Sequence, residues 1–176
     1  MSRLELRFRS FRVYGQGRAL SYRLDAEHPI GRSLLDLFHA EEERVEAIRQ
    51  TVARVAQQMA PLPLAVWVYG SVARHEDRPN SDLDLLFVVE DDQAAERDAG
   101  IFRDLLESLQ REEQIAVSVV PMSSKDVERL SATEDPFWKE LLRDASPWHG
   151  VRPEALARSL KRRAHGAPGR EEATHG

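Results

Sequence analysis

Apolar and polar residues alternate along residues 3–24. Leu4, Leu6 and Phe8 share one face of an extended chain, and Phe11 and Val13 continue the pattern after a phase slip near Ser10. Leu20, Tyr22 and Leu24 form a second alternating run, so the stretch predicts a β-hairpin turning at Gly15-Gln16-Gly17. From about residue 33 to 59 the period changes. Phe38, Val45, Val52 and Met59 recur every seven residues with Leu34, Ile48 and Val55 beside them, the stripe of an amphipathic helix. A coiled coil would share that spacing, but Pro61 and Pro63 stop the pattern at once, which favours a helix packed on a sheet. Short apolar runs at 64–69 and 83–89 predict two buried strands joined by a short polar connection. A helix over 92–110 should bury Phe102, Leu105, Leu106 and Leu109, and "QIAVSVVPM" reads as a third strand.

Capping chemistry marks the rest of the chain. Ser123 with Asp126 three residues on forms a capping-box pattern for a short helix through Leu130. Asp135-Pro136 is a cap and first-turn pair for a helix carrying Phe137, Leu141 and Leu142. Pro153 opens a last helix, and from His165 onward the chain is poor in apolar residues and reads as a disordered tail. A very short link between the first two core strands and a helical link to the third predict an α/β fold of the α+β type. Its small mixed sheet is backed by helices, with a hairpin at one end and helices at the other. The expected organisation is a basic hairpin appendage at 1–28, a core domain at 29–150, and a C-terminal helix and tail at 151–176.

Composition narrows the function classes. The 176 residues carry a net charge of −5, which argues against bulk electrostatic binding to nucleic acid. The chain has no cysteine, which excludes disulfides, zinc–thiolate sites and cysteine nucleophiles. No apolar run is long enough to span a membrane and the N-terminus lacks a signal-peptide core, so a soluble cytoplasmic protein is expected. Arg7, Arg9, Arg12, Arg18 and Arg23 of the hairpin suggest the wing of a DNA-binding domain. The helices that would read a groove are missing, so charges protecting an edge hairpin is the better reading.

The chemistry concentrates in "VWVYGSVARHEDRPNSDLDLLFVV". Asp82 and Asp84 stand two apart at the head of a strand and therefore share a face, opposite Leu83, Leu85 and Phe87. Two like charges beside an apolar run repel each other and resist desolvation. A hard divalent cation removes both costs, and Mg²⁺ is commonly held by one or two carboxylates together with substrate phosphates. Gly70-Ser71 ends the preceding strand. Glycine admits a bulky ligand close to the backbone, turn N–H groups can hold phosphate, the Ser71 hydroxyl can add a hydrogen bond, and Arg74 can add charge. Side by side, a phosphate cradle and a cation site suit nucleotidyl transfer from a nucleoside triphosphate.

The stretch "GSVARHEDRPNSDLDLLFVV" resembles the glycine-serine plus aspartate-x-aspartate signature of the DNA polymerase β-like nucleotidyltransferases, and looks closest to their small bacterial members, the minimal nucleotidyltransferases. The resemblance extends more loosely over 29–150, including "VSVVPMSSKDV" and "DPFWKELLRDASPWHG". It implies a nucleotidyltransferase core, Mg²⁺-dependent use of a nucleoside triphosphate with ATP first among candidates, phosphate contacts at Gly70 and Ser71, and metal binding by Asp82 and Asp84. The acceptor it implies is a hydroxyl on a protein, such as the toxin partner of an antitoxin-type member, or on a small molecule. Two departures stand out. His75 follows Arg74 where family members often have glycine. The family's third acid, which helps activate the attacking hydroxyl, has no counterpart among Ala116, Ser118 and Val120 on the third strand; Glu113 could serve only if the register slipped. A nucleotide-binding regulatory or antitoxin module acting by partner binding, without transfer, is therefore the second reading. A truncated transcriptional regulator is the third, and the oligomeric state stays open.

Overall fold

The structure, a computed structural model, describes residues 11–14, 21–74 and 82–166. The predicted turn at Gly15–Gly17, the strand positions Leu4, Leu6 and Phe8, the polar turn that includes His75, and the tail beyond residue 166 lie outside the described residues. The chain forms two compact units, residues 1–48 and 49–176.

In the first unit, β1 (Phe11–Tyr14) pairs antiparallel with β2 (Ser21–Leu24), Phe11 opposite Leu24 and Tyr14 opposite Ser21. Helix α1 (Pro29–Gln58) follows and crosses the boundary between the units. It starts a turn earlier than its apolar stripe, because Pro29 pre-sets the first helical φ. Only the later part of that stripe is buried: Ile48, Val52 and Val55 are inside, whereas Phe38 and Val45 are exposed.

The second unit is built on a four-stranded mixed sheet in the order β5-β4-β3-β6. Strand β3 (Ala65–Tyr69) runs into the short helix α2 (Gly70–Ala73), and the chain returns as β4 (Leu83–Val89), antiparallel to β3. Helices α3 (Ala95–Leu105) and α4 (Glu107–Glu113) lead to β5 (Val117–Ser123), which pairs parallel with β4. Then come α5 (Ser124–Ala132), α6 (Pro136–Asp144), β6 (Ser146–Gly150) and α7 (Pro153–Gly166).

Strand alternation gives the sheet two apolar faces. Ala65, Trp67, Leu86, Val88 and Met122 face a core closed by Val127 and Leu130 of α5, Trp138 and Leu141 of α6, and Leu156 and Leu160 of α7. On the other face Phe87 stacks on Phe102 of α3, with ring centroids 4.7 Å apart. The Trp67 indole N–H donates to the Val151 carbonyl at 2.7 Å and pins the corner between β6 and α7.

Two sequence expectations are corrected, and one strand was not expected. The helix expected over 92–110 begins at Ala95 and breaks at Leu106, whose N–H reaches the Phe102 and Arg103 carbonyls. The break keeps Leu106 and Leu109 buried and turns Leu105 outward, 49% exposed. The third core strand starts only at Val117, because Gln114 takes a left-handed conformation that ends α4. Finally, "SPWHG" forms the edge strand β6. Pro147 is tolerated there because an edge strand has a side that needs no ladder donor. Gly150 has φ +75°, and a Cβ on it would lie 2.3 Å from the Leu64 carbonyl oxygen.

Candidate active site

The site grows from the open end of the β3–β4 ladder. Antiparallel register sets Tyr69, the last residue of β3, opposite Asp84. The chain then turns at Gly70, whose φ of +74° lies in the left-handed region that favours glycine. A Cβ on Gly70 would stand 2.8 Å from Oδ2 of Asp84, so glycine also makes room for the carboxylate. Gly70, Ser71 and Arg74 belong to one turn of backbone: the Arg74 N–H donates to the Gly70 carbonyl at 3.3 Å and to the Ser71 carbonyl at 3.1 Å.

Asp84 lies on the same side of β4 as Leu86 and Val88, and Asp82 stands two residues before it, just ahead of the strand. Asp82 is exposed and Asp84 half-buried. Burial, and after it the neighbouring Asp82 charge, raise the Asp84 carboxyl above the usual carboxylate range. Burial, and then the Asp84 charge, likewise raise the Tyr69 phenol. The carboxylates of Asp82 and Asp84 make this corner of the sheet negative.

The structure thus brings Gly70 against Asp84, with Asp82 close enough to perturb it. Ser71 is half-buried at the start of α2, and Arg74 is exposed at its end. Arg74 makes an ion pair with Asp144 of α6, Nη1 to Oδ2 at 3.6 Å. On the other flank the parallel register sets Ser118 of β5 beside Asp84. Glu113 closes α4, four residues before β5 begins, so it does not take up a strand position next to the two aspartates. Among the described residues no cluster of three or more His, Asp or Glu side chains is placed to hold a metal ion. The donor set of Asp82 and Asp84 nevertheless fits a hard divalent cation. Both donors are carboxylate oxygens, the Asp82 charge acts on Asp84, and that repulsion is what such an ion relieves.

Sequence reasoning missed Tyr69, Phe137 and Asp144. The Tyr69 and Phe137 rings meet edge-on with centroids 6.0 Å apart, and Asp144 meets Arg74. Tyr69 carried a usable signal, an aromatic residue immediately before the glycine. Phe137 and Asp144 carried none, because their proximity to residues 69–74 exists only after α6 has docked.

No curated protein matches the chain. Among solved structures, a toxin–antitoxin with AMP-PNP is 13% identical, covers 66% of this chain and 86% of its own, and superposes with a TM-score of 0.42. A mutant of the toxin–antitoxin MntA-HpeT is 12% identical, with the same coverages and a TM-score of 0.41. The family described as Polymerase beta, Nucleotidyltransferase matches residues 50–143, more than half of the chain, from within α1 to within α6. The chain belongs to that nucleotidyltransferase family.

Proposed function

We propose that the protein transfers a nucleoside monophosphate from a nucleoside triphosphate, ATP being the first candidate, to a hydroxyl acceptor. The observation that carries this reading is the close approach of Gly70 to the Asp84 carboxylate, with the Asp82 charge near enough to act on it. It supports reading the turn as a phosphate cradle beside a pair of carboxylates. Asp82 and Asp84 would hold Mg²⁺, which when bound supplies the positive charge that neutralises the phosphates. Gly70 lets the phosphate chain approach the backbone, the Ser71 N–H and hydroxyl donate hydrogen bonds to it, and Arg74 adds positive charge at the far end of the turn. The acceptor hydroxyl gives up its proton to solvent as its oxygen bonds to the α-phosphorus, the bond between the α- and β-phosphates breaks, and pyrophosphate leaves.

The acceptor we favour is a tyrosine or serine hydroxyl on a partner protein, such as the toxin of an antitoxin-type pair, with a small-molecule hydroxyl as the rival. The test is incubation with labelled ATP, Mg²⁺ and candidate acceptors. Wild-type protein should label the acceptor and the Asp82→Ala, Asp84→Ala double variant should not. Equal labelling by both overturns the assignment.

A second reading follows from Ser118, which stands beside Asp84 where a third carboxylate could have served as base. On that reading the protein binds nucleotide and a partner without turnover, as a regulatory or antitoxin module. Calorimetry separates the two. Saturable ATP binding without transfer to any acceptor favours the module, and no binding removes both.

A further inference from the structure

Helix α6 contributes two side chains to the surroundings of the Gly70-Ser71 turn, one from each of its ends. Phe137, in its first turn, packs edge-on against Tyr69, the residue before Gly70. Asp144, its last residue, pairs with Arg74, the residue after α2. Seven residues separate Phe137 from Asp144, so they lie on one helix face, two turns and about 10 Å apart. The helix therefore touches the turn at both of its ends.

The helix is well placed to act as a fixed reference. Asp135 caps it by accepting the Phe137 N–H at 2.8 Å, and Pro136 sets its first turn. Trp138 and Leu141 are buried in the core, and Trp138 meets Trp67 of β3 edge-on with centroids 6.5 Å apart. The Asp144 carboxylate is itself oriented. The Arg143 guanidinium donates to both of its oxygens, Nε to Oδ1 and Nη2 to Oδ2, each at 2.7 Å. Only 11% of the Asp144 side chain is exposed, against 40% for Arg74, so the acid is the steadier partner of the pair.

We propose that α6 is the positioning element of the phosphate turn, with Asp144 the positioning residue that holds Arg74 and Phe137 the one that holds Tyr69. The proposal deepens the nucleotidyl-transfer reading and rests on it for the identity of the ligand. Asp144 acts through Arg74 and not on the nucleotide itself. It limits where the Arg74 charge can go, so that the cation is already aimed when a triphosphate arrives, and less side-chain freedom is lost on binding.

The experiment uses the full chain and the variants Asp144→Asn, Arg74→Ala and their combination. One readout is hydrogen exchange of the backbone over residues 68–74, with β4 as an internal reference. The other is ATP affinity in the presence of Mg²⁺. Asp144→Asn should speed exchange over 68–74 while β4 keeps its protection. It should weaken ATP binding about threefold to fivefold, the size expected of a half-exposed ion pair. The double variant should bind no more weakly than Arg74→Ala, since both substitutions break the same link. Wild-type exchange rates over 68–74 in Asp144→Asn would overturn the proposal, as would losses in ATP affinity that multiply in the double variant. If the wild type takes up no ATP, the nucleotidyl-transfer reading fails, and the exchange data alone decide whether α6 positions the turn.

Discussion

Gly70 combines two demands that no other residue meets together, a left-handed backbone and space for a neighbouring carboxylate. An alanine there would strain φ by about 1 kcal/mol. Its methyl would also push the Asp84 carboxylate aside, and small misplacements at a reacting centre cost on the order of 100-fold in rate. Gly70→Ala is therefore expected to lose little stability in urea melts and most of its nucleotidyl transfer. Asp84 shows the opposite balance. Its carboxyl titrates above the usual range because of burial and, second, the Asp82 charge. Over that interval the folded chain holds a proton that the unfolded chain has released, so folding stability falls as pH rises through it. Asp84→Asn should abolish this fall and leave the nucleotide-free protein more stable than wild type at neutral pH, while transfer disappears. Urea melts between about pH 3 and 7 measure the slope. A slope unchanged by the substitution would show that Asp84 is not the group under strain.

Among the helices, α5 shows how far local chemistry alone can specify an element. The Ser123 hydroxyl accepts the Asp126 N–H at 3.2 Å, and the Ser123 N–H donates to Asp126 Oδ2 at 3.1 Å. This is the capping box expected from the sequence, and Ser123→Ala should cost about 1 kcal/mol in chemical denaturation. Its pH behaviour has the reverse sign to that of Asp84. Burial pushes the Asp126 carboxyl up, but hydrogen bonds from Arg129 and Ser123 outweigh it, and the net shift is downward. The stability this supplies is complete above the ordinary aspartate pKa and is lost as pH falls through the depressed folded value. Asp126→Asn should flatten the acid limb of the stability curve, readable in the same melts. The α3–α4 break was beyond such reasoning. Phe102, Leu105, Leu106 and Leu109 satisfy one continuous helical stripe, and only docking against the sheet decides that Leu105 turns outward.

The molecule as a whole depends on a sheet that is buried on both faces. Phe102 is fully buried and stacked on Phe87, on the face away from Asp82 and Asp84. Phe102→Ala should cost about 3–5 kcal/mol through lost burial and a residual cavity. That is a large share of the roughly 5–15 kcal/mol that holds a typical domain. The protein that remains folded should transfer nucleotide at the wild-type rate, because the substitution leaves the opposite face alone. A thermal melt paired with an activity assay well below the transition checks both halves. The mixed sheet was legible for a related reason. β3 and β4 pair antiparallel, as expected of two strands joined by a polar turn, and the helical link to β5 permits a parallel pairing.

Residue order alone specified the strands β3 and β4, the flexible backbone at Gly70, and the caps of α5 and α6. Each depends on neighbours within a few positions, where period, turn chemistry and capping act directly. The edge strand β6, the placement of Ser118 beside Asp84, and the contacts of Tyr69 and Arg74 with α6 waited on the folded chain. They join residues tens of positions apart, and such pairs are chosen by how helices and strands pack around a common core, which no local pattern encodes.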